Sequence, residues 1–236
     1  MAELERATPN AGVGLEVRGL RAGYDGSEVL HGLDLTVAPG EIVAVLGRNG
    51  MGKSTLVNTL SGSIAPIAGS IHLDGVDVTT AAPSARFRRG LRTFRQERPV
   101  FPELTVAQNL SMVGVKSMAK PSSYFEFLAK RGGQAAGTLS GGEQKMLAMA
   151  RMASGGGSMW ILDEPTEGLQ PSNVERSGAI VLEAAERGCG VLLVEQHLNI
   201  ALKVASRWYL MENGLLVESG DVGPDTRRYI FGRISV

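Results

Sequence analysis

The sequence predicts an α/β domain that carries a small helical subdomain, and three observations lead to this fold class. Short apolar runs typical of buried parallel strands occur at 42–46, 159–162 and 191–194. Segments with apolar residues at helical spacing follow these runs along the chain. Residues 105–138 contain short helical patterns and no strand pattern, which indicates a helical insertion between two parts of the strand-bearing core.

The size and composition of the chain limit its class. Its 236 residues suit one large α/β domain, or a domain with a small subdomain, and are enough for a sizeable core. The net charge is zero, so nothing global favours nucleic acid as a partner. We expect no membrane-spanning helix and no secretory leader. The single Cys189 cannot form an internal disulfide, and we expect a buried thiol in a reducing, cytoplasmic setting.

The N-terminal part predicts strands and a hairpin. Alternating apolar residues predict strands at 15–20 and 33–37. Asp74-Gly75 between two short alternating segments predicts a hairpin. Tyr24 is expected in the turn after the first strand, where its ring can stack on a base, although an ordinary turn tyrosine is the commoner role.

A glycine-rich loop between the strand at 42–46 and a helical pattern at 55–60 organises the rest of the chain. It matches G-x-x-x-x-G-K-[ST] with Gly47, Arg48, Asn49, Gly50, Met51, Gly52, Lys53, Ser54 and Thr55. The glycines let successive N–H groups converge on one phosphate, and the helix N-terminus adds partial positive charge. We expect Lys53 to reach the β- and γ-phosphates and the Ser54 hydroxyl to hold Mg²⁺.

The most basic part of the chain is 83–98. It contains Arg86, Arg88, Arg89, Arg92, Arg95 and Arg98. We expect a solvated helix face and loop, and contact with an acidic partner or anionic lipid is the alternative. Gln96 lies in this loop, and its amide oxygen can ligate Mg²⁺ or position water.

A helix is predicted to begin at Ser140. Glu143 follows three residues later, as in a capping box, and apolar residues continue at helical spacing. Gly141 and Gly142 beside the serine can also hold a phosphate at a helix start. The residues themselves leave the capped helix and the second anion site equally open.

Two strands of the predicted sheet end in polar residues. The strand at 159–162 leads into Asp163 and Glu164, where one carboxylate can hold Mg²⁺ and the other can accept a proton from water. Such a pair is often only a turn, but the phosphate loop favours phosphoryl-transfer chemistry. The strand at 191–194 leads toward His197, either a γ-phosphate sensor or a capping or surface histidine. Helices at 173–187 and 198–205 and an Asn-Gly hairpin at 209–218 complete the chain.

In this order the motifs resemble the ATP-binding subunit of an ATP-binding-cassette (ABC) transporter, over about Leu15 to Phe231. The segments that carry the resemblance are Tyr24, 47–55, Gln96, Leu139–Glu143 and Met159–Glu164. The resemblance implies a P-loop ATPase core with a mixed sheet, an antiparallel β subdomain and an inserted helical subdomain at about 100–155. This domain spans 14–236 and follows an N-terminal lead-in at 1–13.

Three segments are similar to the branched-chain amino acid and urea/short-chain amide uptake subfamily. They are 100–106, 164–171 and 192–196. In that alignment Gln196 takes the position of the family's usual histidine and His197 lies one residue later, so either can contact the γ-phosphate. The helical segment 105–138 looks shorter than usual, at the place where the family docks its membrane subunits.

The resemblance implies an ATPase that works as a head-to-tail homodimer or heterodimer. ATP lies between the phosphate loop of one copy and Ser140–Gly142 of the other, with Tyr24 on adenine. Ser54, Gln96 and Asp163 are then assigned to Mg²⁺, and Glu164 to the attacking water. The implied partners are two transmembrane permease subunits and, indirectly, a solute-binding protein, at the cytoplasmic face of the inner membrane. No nucleic acid is expected.

The sequence therefore predicts the ATP-hydrolysing subunit of an importer of a small polar solute, either urea or a short-chain amide or a branched-chain amino acid. The alternative is a soluble ABC ATPase that acts on nucleic acid or ribosomes. A single cassette, zero net charge and the lack of a heptad run disfavour it. The intact pair Asp163-Glu164 disfavours a nonhydrolysing regulator.

Overall fold

Two β-sheets and the helices around them make up the structure, a computed structural model that describes Gly12, residues 14–97 and residues 99–234. Apart from Gly12, the lead-in expected at 1–13 lies outside the described residues, as does Arg98. The strands are β1 Leu15–Tyr24, β2 Ser27–Val37, β3 Ile42–Leu46, β4 Ala68–Leu73, β5 Val76–Asp77, β6 Leu91–Phe94, β7 Met159–Asp163, β8 Gly190–Glu195, β9 Arg207–Glu212 and β10 Leu215–Asp221. The helices are α1 Lys53–Leu60, α2 Pro83–Arg88, α3 Val106–Ser111, α4 Ala119–Tyr124, α5 Phe127–Lys130, α6 Gly141–Gly155, α7 Pro171–Glu186, α8 Leu198–Val204 and α9 Thr226–Ile234.

The smaller sheet is antiparallel, with strand order β2-β1-β4-β5. The predicted hairpin at Asp74-Gly75 is confirmed, with positive φ at both residues. A second Asp-Gly turn, at Asp25-Gly26, joins β1 to β2 and was not predicted. Tyr24 is the last residue of β1 and pairs with Ser27, so it lies in the strand and not in the turn after it.

The larger sheet has the order β10-β9-β3-β8-β7-β6. Every pairing from β9 to β6 is parallel, and β10 adds an antiparallel edge through the hairpin at Asn213-Gly214. The mixed sheet and the antiparallel subdomain are therefore confirmed. The carboxyl ends of β3, β6, β7 and β8 meet at one edge, where ligands bind in sheets of this kind.

The hydrophobic core lies in two layers on either side of the larger sheet. Along β3, Ile42, Ala44 and Leu46 face one layer, and Val43 and Val45 face the other. The first layer packs against α6, α7 and the helical segment. The second layer fills the space between the two sheets and includes α1. A strand buried on both faces reads as a continuous apolar run, which is why β3, β7 and β8 were predictable.

The helical segment contains short helices, as predicted, but their bounds differ. The helix expected at 106–113 ends at Ser111, and the one expected at 124–130 is replaced by α4 and α5. The capping box at the start of α6 is confirmed, because Ser140 Oγ accepts from the Glu143 N–H and Glu143 accepts from the Ser140 N–H.

The prediction that 83–98 is a solvated helix face and loop is wrong in two respects. Arg86 is buried, and its guanidinium donates to the carbonyls of Thr59 and Leu60 at the end of α1. It also donates to the carbonyls of Thr79 and Ala81. In addition, Leu91–Phe94 forms β6, which pairs with β7 at the edge of the larger sheet.

Candidate functional site

The phosphate loop connects β3 to α1 and is closed by its own lysine. Lys53 Nζ donates to the carbonyl oxygens of Gly47 at 2.8 Å and Arg48 at 3.1 Å, and only 5% of the residue is exposed. Gly50 and Gly52 have φ of 81° and 104°, in the left-handed region that favours glycine. Gly52 directly precedes α1, so the loop ends at a helix N-terminus as an anion cradle requires.

Two cavities meet at this loop. The first, of about 310 Å³, is lined by Val29, Asn49, Gly50, Gly52, Lys53, Ser54, Thr55, Gln96 and Glu164. The second, of about 430 Å³, is lined by Ser54, Asn58, Arg95, Gln96, Glu97 and Asp163. Ser54 and Gln96 line both cavities. The structure therefore brings the loop, Gln96 and both carboxylates together, and it adds Val29 and Asn58, which the motifs did not indicate.

The two carboxylates at the end of β7 are almost completely buried. Asp163 and Glu164 are 6% and 5% exposed. Burial raises the pKa of Asp163 to about 6, the neighbouring Glu164 adds to the shift, and Lys53 opposes it. Glu164 Oε1 lies 3.7 Å from Lys53 Nζ. Two carboxyl groups and the Lys53 amine therefore share one confined space.

Glu164 is held in an unusual backbone conformation. Its φ is 46°, a region that non-glycine residues rarely adopt. Its N–H donates to the carbonyl of Val194 at 2.9 Å, which continues the β7–β8 pairing by one residue. The strained backbone and the neighbouring strand thus fix the point from which the Glu164 side chain enters the cavity.

The loop after β7 is tied to Gln96 and to α6. Gln96 Nε2 donates to Glu164 Oε2 at 3.1 Å and to Glu167 Oε2 at 2.7 Å. Lys145 Nζ donates to the Glu167 carboxylate at 3.3 Å and to its carbonyl at 2.8 Å. The Gln96 hydrogen bond holds the pKa of Glu167 below its ordinary value, with a smaller contribution from Lys145. No site role was predicted for Glu167 or for Lys145 from the sequence.

A third buried carboxylate, Glu195, ends β8. The Thr166 hydroxyl donates to its Oε1 at 2.7 Å, and His197 Nδ1 lies 3.7 Å from its Oε2. Burial raises the pKa of Glu195. The His197 side chain is about half exposed and Gln196 is partly buried. Neither residue is among the described residues that line the two cavities.

The remaining predicted site residues lie around these cavities. The Tyr24 hydroxyl accepts from Asn58 Nδ2 at 3.3 Å, which places an exposed ring beside α1. Gly47, Arg48 and Met51 line a separate cavity behind the loop, next to β9. At the helix start, Ser140 and Gly141 are exposed and Gly142 is half-buried, and none of the three is among the described linings of the first two cavities.

The oxygen donors at the second cavity fit Mg²⁺. In the described ranges, no three His, Cys, Asp or Glu side chains are arranged to hold a metal ion. Mg²⁺ is instead typically bound by one or two carboxylates, with phosphate oxygens and water completing its shell. Ser54, Gln96 and Asp163 bring a hydroxyl, an amide and a carboxylate to the lining of this cavity. A cation there would offset the burial of the Asp163 charge.

Comparison with known proteins shows the family of the chain. The sequence matches the model of the ABC transporter family at residues 30–167, more than half of the chain. It is 39% identical over 202 residues to the high-affinity branched-chain amino acid transport ATP-binding protein BraG of Pseudomonas aeruginosa, covering 82% of this chain and 87% of that one.

Solved structures show the same fold. The ATP-binding subunit of an ABC transporter superposes with a TM-score of 0.78 at 26% identity, over 94% of this chain and 95% of that one. The ADP conformation of the ABC-transporter cassette MJ1267 gives 0.78 at 25%, over 94% and 97%. No helix in the described part of the chain is long and apolar enough to cross a membrane. The family model, the similarity to BraG and the solved structures together show that the chain belongs to the ABC transporter family as an ATP-binding subunit, an ATPase whose hydrolysis of ATP is coupled to transport.

Proposed function

We propose that this ATPase energises the uptake of a small polar solute through separate membrane subunits. A branched-chain amino acid is supported by the similarity to BraG, which is named for that transport. Urea or a short-chain amide is the second solute class, suggested by Glu167–Pro171. The protein would then work at the cytoplasmic face of the membrane with two permease subunits and, indirectly, a solute-binding protein.

The observation that carries the proposed chemistry is the meeting of Lys53, Gln96 and Glu164 at one cavity. The loop N–H groups and Lys53 hold the phosphates of ATP. Glu164 orients the attacking water and accepts its proton. Ser54, Gln96 and Asp163 would hold Mg²⁺, which would supply positive charge to neutralise the transferred phosphoryl group.

The second anion site is assigned to a partner cassette. Ser140–Gly142 lie at the exposed start of α6, outside the described lining of the chain's own phosphate cavities. The helix start and its N–H groups suit the phosphates of an ATP molecule held by the facing copy. Tyr24 stacks on adenine, and Gln196 or His197 contacts the γ-phosphate.

Reconstitution tests the transport proposal. The chain would be purified with its membrane subunits and solute-binding protein, placed in vesicles, and supplied with ATP. We expect uptake of radiolabelled leucine or urea that stops when Lys53→Ala replaces the wild type. Purification without membrane subunits, together with ATP hydrolysis stimulated by RNA or ribosomes, would instead support the soluble alternative.

A further inference from the structure

Three side chains from separate parts of the chain meet at the loop that follows β7. Glu167 lies in that loop, Gln96 follows β6, and Lys145 lies on α6 and is largely buried. Glu167 Oε2 accepts from Gln96 Nε2 at 2.7 Å and from Lys145 Nζ at 3.3 Å. One carboxylate oxygen therefore joins the Gln96 segment to α6, the helix that Ser140 caps.

The hydrogen bonds fix which end of the Gln96 amide faces the carboxylates. An ionised carboxylate only accepts hydrogen bonds, so it selects the NH₂ end of an amide. Two carboxylates, those of Glu164 and Glu167, accept from the same Nε2. The carbonyl oxygen at the other end of the Gln96 amide is not used in these two hydrogen bonds. A hard cation such as Mg²⁺ prefers oxygen ligands, so this oxygen is the atom that can bind it.

Lys145 restricts the movement of Glu167. Its ammonium group donates to the Glu167 carboxylate, to the Glu167 carbonyl at 2.8 Å and to the Glu164 carbonyl at 3.5 Å. The lysine therefore holds both the side chain and the backbone of the loop. A glutamate on a free surface loop would sample several rotamers, whereas this one is bound on two sides.

We propose that Glu167 is a positioning residue that sets the Gln96 amide with its oxygen available to Mg²⁺, and that Lys145 holds Glu167 in place. The inference rests on the proposed role of Gln96 as a metal ligand. The carboxylate acts only through Gln96. Groups that orient a metal ligand in this way contribute measurably to metal affinity.

Metal affinity measured without turnover tests this role. Mn²⁺ serves as the probe, with its binding to the protein and a nonhydrolysable ATP analogue followed by electron paramagnetic resonance. We expect Glu167→Ala to weaken Mn²⁺ binding about tenfold. Nucleotide binding in EDTA should be unchanged, because Glu167 is not assigned to the nucleotide. Glu126→Ala, which breaks an exposed ion pair with Lys130, is the matched control and should have no effect.

A double-variant cycle shows whether Glu167 acts through Gln96. Gln96→Ala should weaken Mn²⁺ binding, and adding Glu167→Ala should cause no further loss. Glu167→Gln should weaken Mn²⁺ binding less than Glu167→Ala, because the new amide oxygen can still accept from Gln96. It should still weaken binding somewhat, because Lys145 loses its charged partner. The milder variant also provides a measurement should the alanine variant fold poorly.

The outcomes separate the two proposals. Unchanged Mn²⁺ affinity in Glu167→Ala, or additive losses in the double variant, would overturn the positioning role while leaving Gln96 as a ligand. Unchanged affinity in Gln96→Ala would overturn the ligand assignment on which the inference rests.

Discussion

At the scale of single residues, the buried carboxylate of Asp163 is costly to ionise. Its pKa of about 6 lies above the value of 3.8 expected for the unfolded chain. The native state therefore binds more protons between about pH 4 and pH 6, and the free energy of unfolding falls as pH rises through that window. Above about pH 6 Asp163 is ionised in the native state, and the free energy of unfolding is lowered by the full cost of burying its charge. The Mg²⁺ proposed to bind Asp163 would offset this cost.

Replacement of this carboxylate is expected to stabilise the protein. We predict that Asp163→Asn raises the free energy of unfolding by about 1–3 kcal/mol at pH 7.5 in EDTA, and by less at pH 5. Denaturant unfolding at the two pH values measures this. Glu126→Gln, at an exposed ion pair, is the control and should change stability little at either pH. A variant less stable than the wild type at pH 7.5 would contradict the assignment of a destabilising charge.

The conformation of the phosphate loop depends on Gly52. Its φ of 104° is unfavourable for any other residue, and an added Cβ would approach Met211 Cε at 3.1 Å and Leu30 Cδ2 at 3.2 Å. We predict that Gly52→Ala lowers the free energy of unfolding by about 1–3 kcal/mol. It should also weaken ATP binding at least ~10-fold, because the N–H groups of the loop no longer converge.

Calorimetric titration with ATP and denaturant unfolding measure both effects. Gly133→Ala is the matched control, since Gly133 has no atom within 4 Å of an added Cβ and no positive φ. Wild-type ATP affinity in Gly52→Ala would show that the loop does not need this conformation to bind phosphate.

At the scale of elements, local patterns were predictable and long-range contacts were not. The apolar runs of β3, β7 and β8 and the Asp-Gly and Asn-Gly turns carry their own signals, and the structure confirms them. In contrast, β6 is a four-residue strand among arginines, so its apolar residues are too few to show a period. Its position is set by pairing with β7, more than sixty residues away in sequence.

Side-chain hydrogen-bond networks could not be predicted either, because they join residues that are far apart in sequence. Arg86 looks like any arginine of a basic stretch, but its acceptors are carbonyls of α1 and of the segment after β5. Gln96 was identified as a candidate ligand, whereas Glu167 and Lys145 became visible only when three distant elements met. The motifs thus predicted the residues that we assign to ATP and Mg²⁺. The residues that form hydrogen bonds to Gln96 and Glu167 were identified only from the structure.

The contacts of Arg86 predict a large stability effect. We expect Arg86→Met to lower the free energy of unfolding by about 3 kcal/mol, because it leaves buried carbonyl oxygens without donors. Arg88→Met, on the exposed side of the same helix, is the matched control and should change stability by less than about 0.5 kcal/mol. Equal effects of the two substitutions in thermal or denaturant unfolding would show that the Arg86 hydrogen bonds contribute little.

At the scale of the whole molecule, the fold places the phosphate-loop region and the start of α6 apart from each other. The carboxyl edge of the larger sheet gathers the phosphate loop, Gln96, Asp163 and Glu164, while the start of α6 faces solvent. The loop at Glu167 connects the two regions through Lys145. In the proposed head-to-tail dimer, one nucleotide would contact the phosphate loop of one copy and the start of α6 of the other, so each copy would use both regions.

The most direct test of the account is ATP turnover by Glu164→Gln, because Glu164 is the group proposed to prepare the attacking water. We predict that the steady-state rate of phosphate release falls at least ~100-fold while ATP binding is retained. We also expect a dimer to accumulate with ATP in size-exclusion chromatography. Phosphate release at the wild-type rate by this variant would contradict the catalytic role of Glu164 and the mechanism built on it.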